Sequence, residues 1–134
     1  MEAIMEITVQ EFPQVELLAV QGRVDSIEAP RLATALKAAS GRGKHMLVID
    51  MSQLEYISSA GFRALAEAQR NSKRHTPGEV VLTQVPDRIR EVLEIVGFAE
   101  YFNIIDPLPS ALTYAENLAA GVSPADAPPA SSEK

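Results

Sequence analysis

Short apolar runs alternate along this sequence with segments in which apolar residues recur at helical spacing, and this alternation restricts the fold more than any other feature. The runs with strand character are residues 5–10, 15–22, 45–50, 80–83 and 102–105. The segments with helical period are residues 25–40, 59–74, 86–97 and 109–120. The resulting order, β-β-α-β-α-β-α-β-α, predicts an α/β fold. We expect a central mixed, partly parallel sheet of four to five strands with about four α-helices.

The third helical segment carries the most explicit packing pattern. Its four aliphatic positions recur at helical spacing and are predicted to face the core: Ile89, Val92, Leu93 and Val96. Gly97 follows them, where a glycine commonly ends a helix. Residues 51–59, between the third strand and the second helix, have no clear period and are interpreted as a loop.

The length of 134 residues is the usual size of one domain with one core. We therefore predict a single domain over residues 1–120. Residues 121–134 are rich in Pro, Ala and Ser and contain almost no large apolar side chains. Such a composition cannot bury enough apolar surface to order the chain, so this tail is predicted to be disordered.

The formal net charge of −6 argues against partners that are themselves polyanions. Neither nucleic acid nor a membrane surface is therefore expected as a partner.

The chain has no cysteine, which excludes disulfides and thiolate metal sites. His45 and His75 lie in separate predicted loops without an i, i+4 ligand, so we expect solvent-facing histidines, no metal and no cofactor. Without an apolar run of about 18 residues or a signal-peptide pattern, the chain is predicted to be cytoplasmic.

Two adjacent serines, Ser58 and Ser59, open the second helix in the stretch "LEYISSAGFRAL". One interpretation is helix capping, since serine is among the best N-caps and a cap contributes about 1 kcal/mol. The other is modification. A phosphate on Ser59 would add roughly −1.5 to −2 charges at a helix N-terminus, which favours anions. The sequence leaves both interpretations open.

Three stretches in order resemble one known family. The stretch "LVIDMSQLEYISSAGFRAL", residues 47–65, is similar to the signature of the STAS domain of anti-sigma factor antagonists. The stretch "GRVDSIEAPRLATAL", residues 22–36, resembles that family's Gly-x-Leu-Asp strand end with its following helix. The stretch "VPDRIREVLEIVGFAEYFNII", residues 85–105, resembles its third helix and last strand. The similarity extends over residues 4–119 and implies a STAS-like fold.

The resemblance also implies a function. Such antagonists, when unphosphorylated, bind a cognate serine kinase that is also an anti-sigma factor, and thereby release the sigma factor. Phosphorylation breaks the complex and a phosphatase restores it. By position, Ser59 matches the phosphorylated serine, Asp25 and Asp50 match acidic positions near it, and Gly61 matches the glycine that lets the helix start pack closely. Ser58 departs from the family, since many members have Asp there.

Alternatives remain for these residues and for the function. Asp25 could act only as a helix N-cap, and Asp50 could be a strand-end residue that binds loop amides. A serine hydrolase is not expected, because Ile57 occupies the position where a nucleophile elbow needs glycine. The chain is therefore predicted not to be an enzyme. The main alternative is a STAS docking subunit or scaffold of a transporter ATPase or stress-signalling complex, without a phosphate switch.

Overall fold

The computed structural model describes residues 5–122, which form six strands and four helices. The strands are β1 Met5–Glu11, β2 Val15–Val24, β3 Met46–Asp50, β4 Leu54–Ile57, β5 Glu79–Thr83 and β6 Asn103–Ile104. The helices are α1 Ala29–Gly41, α2 Ser59–Ser72, α3 Asp87–Ile95 and α4 Leu108–Ala119. From position 123 onward, the tail predicted to be disordered lies outside the described residues. Within residues 5–122, no helix is long and apolar enough to cross a membrane.

The sheet is mixed, as predicted, with the order β1-β2-β3-β5-β6. Strands β1 and β2 are antiparallel, whereas β3, β5 and β6 continue the sheet in parallel. The ten-residue strand β2 pairs with two strands in succession: its first half pairs with β3, and its last residues pair with β4. The helices lie on both faces, with α1, α2 and α3 packed on one and α4 on the other.

Strand β4 is the one element that the sequence analysis assigned to a loop. It has four residues, with Leu54 and Ile57 buried and the two residues between them exposed. Two buried positions three apart show no alternation of period two, so the sequence carries no strand pattern here. The strand forms because β2 extends beyond β3 and offers free backbone groups to a partner.

The strands at the centre of the sheet are buried on both faces, as the continuous apolar run of β3 predicts. Leu47 and Ile49 point into the core under α1 and α2. Met46 and Val48 point into a second core, where they pack with Ala111 of α4. The two cores hold the sheet between helices on both faces. Strand β3, which precedes β4, and helix α2, which follows it, both have buried residues in the larger core under α1 and α2.

Helix α3 differs from the prediction in the direction of two side chains. Ile89 and Leu93 are buried, as expected, but Val92 and Val96 are 40% and 48% exposed. Helical spacing shows which residues lie on one side of the helix, but the neighbouring elements determine how much of that side becomes buried. The nine-residue helix α3 buries a narrow face, and Val92 and the C-cap residue Val96 are left at the surface.

The prediction of separate, solvent-facing histidines is wrong for His45, which is half-buried against His75, whereas His75 itself is exposed as expected. The rings of His45 and His75 stack with centroids 3.5 Å apart and an angle of 5° between their planes. His45 precedes β3 and His75 precedes β5, and these neighbouring parallel strands start at the same edge of the sheet. Burial, and then the neighbouring His75, lower the pKa of His45. Its Nδ1 atom is buried without a hydrogen-bond partner in the described part of the chain.

Candidate functional site

Ser58 is the N-cap of helix α2. Its backbone is extended, with φ −83° and ψ 171°, and its Oγ accepts a hydrogen bond from the backbone N–H of Gly61 at 3.3 Å. Its own N–H donates to the carbonyl of Val24 at the end of β2, at 2.8 Å. The Ser58 hydroxyl is therefore engaged in holding the helix start, where it satisfies an otherwise free amide.

Ser59 is the first residue of helix α2 and its side chain is exposed. The first turn of the helix contains no acidic residue that would neutralise its positive end. An anion attached to Ser59 would therefore meet a favourable helix dipole. Of the two serines, the structure leaves Ser59 accessible and uses Ser58 as the cap.

Gly61 lies where the start of α2 crosses β2 and β4. A Cβ atom built on Gly61 would lie 2.6 Å from Cγ1 of Ile57 and 2.9 Å from Cγ1 of Val24. Both neighbours are buried, so neither can move without disturbing the core. The absence of a side chain at position 61 is what allows the helix start, with Ser58 and Ser59, to pack this closely.

Asp25 lies beside the serine pair, because it follows Val24, whose carbonyl binds the Ser58 amide. Its Oδ1 accepts hydrogen bonds from the N–H groups of Ile27 at 3.0 Å and Glu28 at 2.9 Å. Asp25 therefore closes the turn between β2 and α1. It is not the N-cap of α1, since that position is occupied by Glu28.

Asp50 is not part of this site. It pairs in register with Ala19, whereas Ile57 pairs with Val24, five residues further along β2. At about 3.3 Å per residue, Asp50 lies roughly 16 Å away along the strand direction. Its Oδ1 accepts from the Ser52 amide at 2.9 Å, which agrees with the alternative of a strand-end residue that binds loop amides. The sequence match placed Asp50 near Ser59, but the insertion of β4 separates them.

An open groove of about 370 Å³ runs beside Ser58 and Ser59, between β4, the start of α2 and α3. Its apolar lining residues are Tyr56, Ile57, Phe62, Ile89, Val92 and Val96. Its charged lining residues are Glu55 and Arg88. The sequence analysis missed the contribution of α3. The signal was present in the i, i+4, i+8 spacing of Arg88, Val92 and Val96, which places them in one row along the helix.

The exposed hydroxyl of Ser59 has no histidine near it that could act as a base. Both histidines of the chain lie at the edge of the sheet where β3 and β5 start. Ser59 follows the carboxyl end of β4, which is the opposite edge. A serine nucleophile needs a base within hydrogen-bond reach. Across residues 5–122, no group of three or more acidic or histidine side chains could hold a metal ion.

Fold and site together define a small α/β domain in which an exposed serine borders an open apolar groove. The sequence model of the STAS domain matches residues 6–111. The chain belongs to the STAS domain family, among the anti-sigma factor antagonists.

Individual relatives agree with this assignment. BtrV of Bordetella bronchiseptica, named as an anti-sigma factor antagonist, is 34% identical over 100 residues, which are 75% of this chain and 85% of BtrV. The anti-sigma-B factor antagonist of Listeria monocytogenes is 29% identical over 85 residues, 63% of this chain and 74% of that protein. The crystal structure of an anti-sigma factor antagonist from Mycobacterium paratuberculosis superposes with a TM-score of 0.73 at 25% identity, covering 84% and 94% of the two chains. These similarities confirm the predicted family and fold.

Proposed function

We propose that this chain is an anti-sigma factor antagonist controlled by phosphorylation of Ser59. Unphosphorylated, it binds a serine kinase that is also an anti-sigma factor, and the sigma factor is released. A phosphate on Ser59 ends the binding, and a phosphatase restores it. The observation that carries the proposal is the exposed Ser59 hydroxyl at the margin of an apolar groove.

The groove supplies the attraction for a protein partner. Tyr56, Val92 and Val96 are each 40% exposed or more, and they lie together on one surface. Covering exposed apolar area contributes about 25 cal/mol per Å² removed from water. An open groove lined with aromatic and aliphatic side chains is therefore suited to accept apolar side chains of the kinase.

A phosphate at Ser59 would oppose that docking without unfolding the domain. It adds roughly −1.5 to −2 charges beside apolar side chains that must lose water when a partner binds, and desolvating an ion is costly. At the same time the helix N-terminus offers the phosphate a favourable dipole. The fold then tolerates the modification, while the complex does not.

Ser59 is a better target than Ser58 on the same geometry. Ser58 is half-buried and its Oγ holds the Gly61 amide, so a kinase would have to break this contact to reach it, whereas Ser59 is exposed. This chain has Ser58 where many members of the family have Asp, and the capping role of Ser58 accounts for the exchange. Serine and aspartate are comparable N-caps, so the cap is preserved although the carboxylate beside the target hydroxyl is lost.

The role proposed here is regulatory and not catalytic, and its partners are proteins: the kinase and a phosphatase. Gly61 serves the site by letting the start of α2 pack closely on β2 and β4, and Asp25 closes the neighbouring turn after β2. We place the activity in the bacterial cytoplasm, where a sigma factor meets its kinase. The STAS domain is proposed to extend to residue 120, with residues 121–134 as an appended tail.

The test uses the chain as bait for its kinase in an extract of the source cell, with captured proteins identified by mass spectrometry. We expect wild type and Ser59→Ala to capture a serine kinase, and Ser59→Asp to lose at least tenfold in affinity. Ser52→Asp, at an exposed serine in the loop before β4, is the matched control for added charge and should bind like wild type. Capture of one transporter ATPase or scaffold by all four baits would contradict the switch and support the docking-subunit alternative.

A further inference from the structure

The groove beside Ser59 is lined by one acidic and one basic side chain. Of its lining residues, only Glu55 and Arg88 carry a formal charge. Arg88 lies in the first turn of α3 and is exposed. It forms no ion pair with any other residue between 5 and 122, whereas Arg90, two positions further on, pairs with Asp106 at 3.5 Å. Arg88 is thus an uncommitted cation on the wall of the groove that Ser59 borders.

We infer that Arg88 binds the phosphate of phosphorylated Ser59 across the groove, an inference that rests on the proposed function. A guanidinium donates two parallel N–H groups to two oxygens of one phosphate, and such charge-assisted pairs are the strong class of hydrogen bond. Phosphorylation changes the groove from one cation and one anion to an excess of negative charge, and Arg88 is the cation within the groove that can compensate it.

This ion pair has a consequence for the apolar wall. Arg88, Val92 and Val96 form one row along α3, with Arg88 at the end nearest the helix start. A guanidinium drawn towards Ser59 lays its aliphatic stem over the groove, since the stems of long charged side chains cover apolar surface while their head groups stay in water. Phosphorylation then acts twice: it places charge beside the docking surface, and it covers part of that surface.

Arg63 is the rival for the same phosphate. It lies four residues after Ser59 on α2 and is exposed, and residues at i and i+4 are neighbours on a helix surface. Arg63 does not line the groove, however, whereas Ser59 and Arg88 both do. A pair between Ser59 and Arg63 would stay on the outer side of α2 and leave the groove open, so the two assignments predict different behaviour.

The experiment uses the full chain with phosphoserine incorporated at position 59 by genetic code expansion, which requires no kinase. The second pKa of the phosphate is measured by ³¹P NMR titration in the parent and in Arg88→Gln, Arg63→Gln and Arg90→Gln. A cation favours the dianion, so its removal raises this pKa. We expect Arg88→Gln to raise it by about 0.3 to 0.7 pH units, the size of an exposed ion pair. Arg90→Gln, on the same helix but paired elsewhere, is the control and should leave the pKa near that of the parent.

An unchanged phosphate pKa in Arg88→Gln, or a larger rise in Arg63→Gln than in Arg88→Gln, would overturn the inference. This failure is distinguishable from failure of the proposed function. If Arg88 has no effect on the pKa but the phosphorylated chain still fails to bind the kinase, the switch stands and only the ion pair is wrong. If Arg88 shifts the pKa but kinase affinity ignores the phosphate, the ion pair stands and the switch is wrong.

Discussion

Substitution of Gly61 by alanine tests whether close packing at the start of α2 fixes the serine pair. The new methyl carbon would lie 2.6 Å from Ile57 and 2.9 Å from Val24, so Ile57 must retreat by about 0.8 Å to reach an ordinary contact of 3.4 Å. Ile57 and Val24 are buried and β-branched. Because β-branched side chains have few accessible rotamers, relief has to come from a shift of the helix start or of β4.

Two opposing effects set the magnitude. Replacing glycine by alanine inside a helix gains up to about 1 kcal/mol from helix propensity. Overpacking a well-packed site costs about 1 to 3 kcal/mol. We therefore expect Gly61→Ala to lower the free energy of unfolding by about 1 kcal/mol net.

The control is Gly41→Ala at the last residue of α1, where the same Cβ atom would meet nothing within 4 Å. This variant makes the same chemical change without a clash, so its stability should be unchanged or raised by up to about 1 kcal/mol. Urea unfolding followed by circular dichroism gives both values, and equal m-values would show that the unfolded states are comparable. The difference between the two variants, about 1 to 2 kcal/mol, is the quantity predicted.

Equal or greater stability of Gly61→Ala relative to Gly41→Ala would refute the reasoning. It would mean that the start of α2 can move away from β2 and β4 at little cost. A second readout is the backbone amide of Ser58, which donates to the Val24 carbonyl at 2.8 Å. Its NMR chemical shift should change in Gly61→Ala and stay constant in Gly41→Ala.

Two further predictions concern polar groups away from the site. Arg42, which is partly exposed, donates two hydrogen bonds to the buried Glu16, so Arg42→Met should lower stability in urea unfolding, and adding Glu16→Met should recover part of the loss. Unchanged stability in the single variant would contradict this. Burial, and then the hydrogen bond to Glu79, raise the pKa of Tyr114 to about 12. The folded state therefore holds this proton more tightly than the unfolded state, and the associated stability, full below pH about 10, is lost as pH rises from about 10 towards 12. Tyr114→Phe should flatten the decline of stability over this range, and an identical slope in both proteins would contradict it.

The elements with strong periodic patterns were predictable from the sequence because local spacing determines them. The apolar run of β3 and the 3.6-residue spacing in α2 each identify an element without knowledge of its neighbours. The start of α2 at Ser59 was likewise predictable, since a serine that precedes a helical pattern is a recognised N-cap signal. The family resemblance then placed the candidate phosphorylation site at the same position.

What could not be predicted depends on which elements lie next to each other. The strand character of β4 comes from the overhang of β2, and the exposure of Val92 comes from the narrow contact of α3 with the sheet. The stacking of His45 on His75 arises because β3 and β5 start at one edge. None of these arrangements leaves a local pattern. The groove that gives Ser59 its setting also depends on neighbours, because four of its ten lining residues come from α3 and its C-cap. The spacing of Arg88, Val92 and Val96 showed that they share a row, but not that this row lies beside β4.

The central claim is that phosphate on Ser59 controls kinase binding. The most direct measurement is isothermal titration calorimetry of the captured kinase with the unmodified chain and with the chain that carries phosphoserine at position 59. The account predicts that the phosphate weakens binding at least tenfold, or about 1.4 kcal/mol, while the circular dichroism spectrum of the chain is unchanged. Equal affinities of the two forms for the kinase would contradict it.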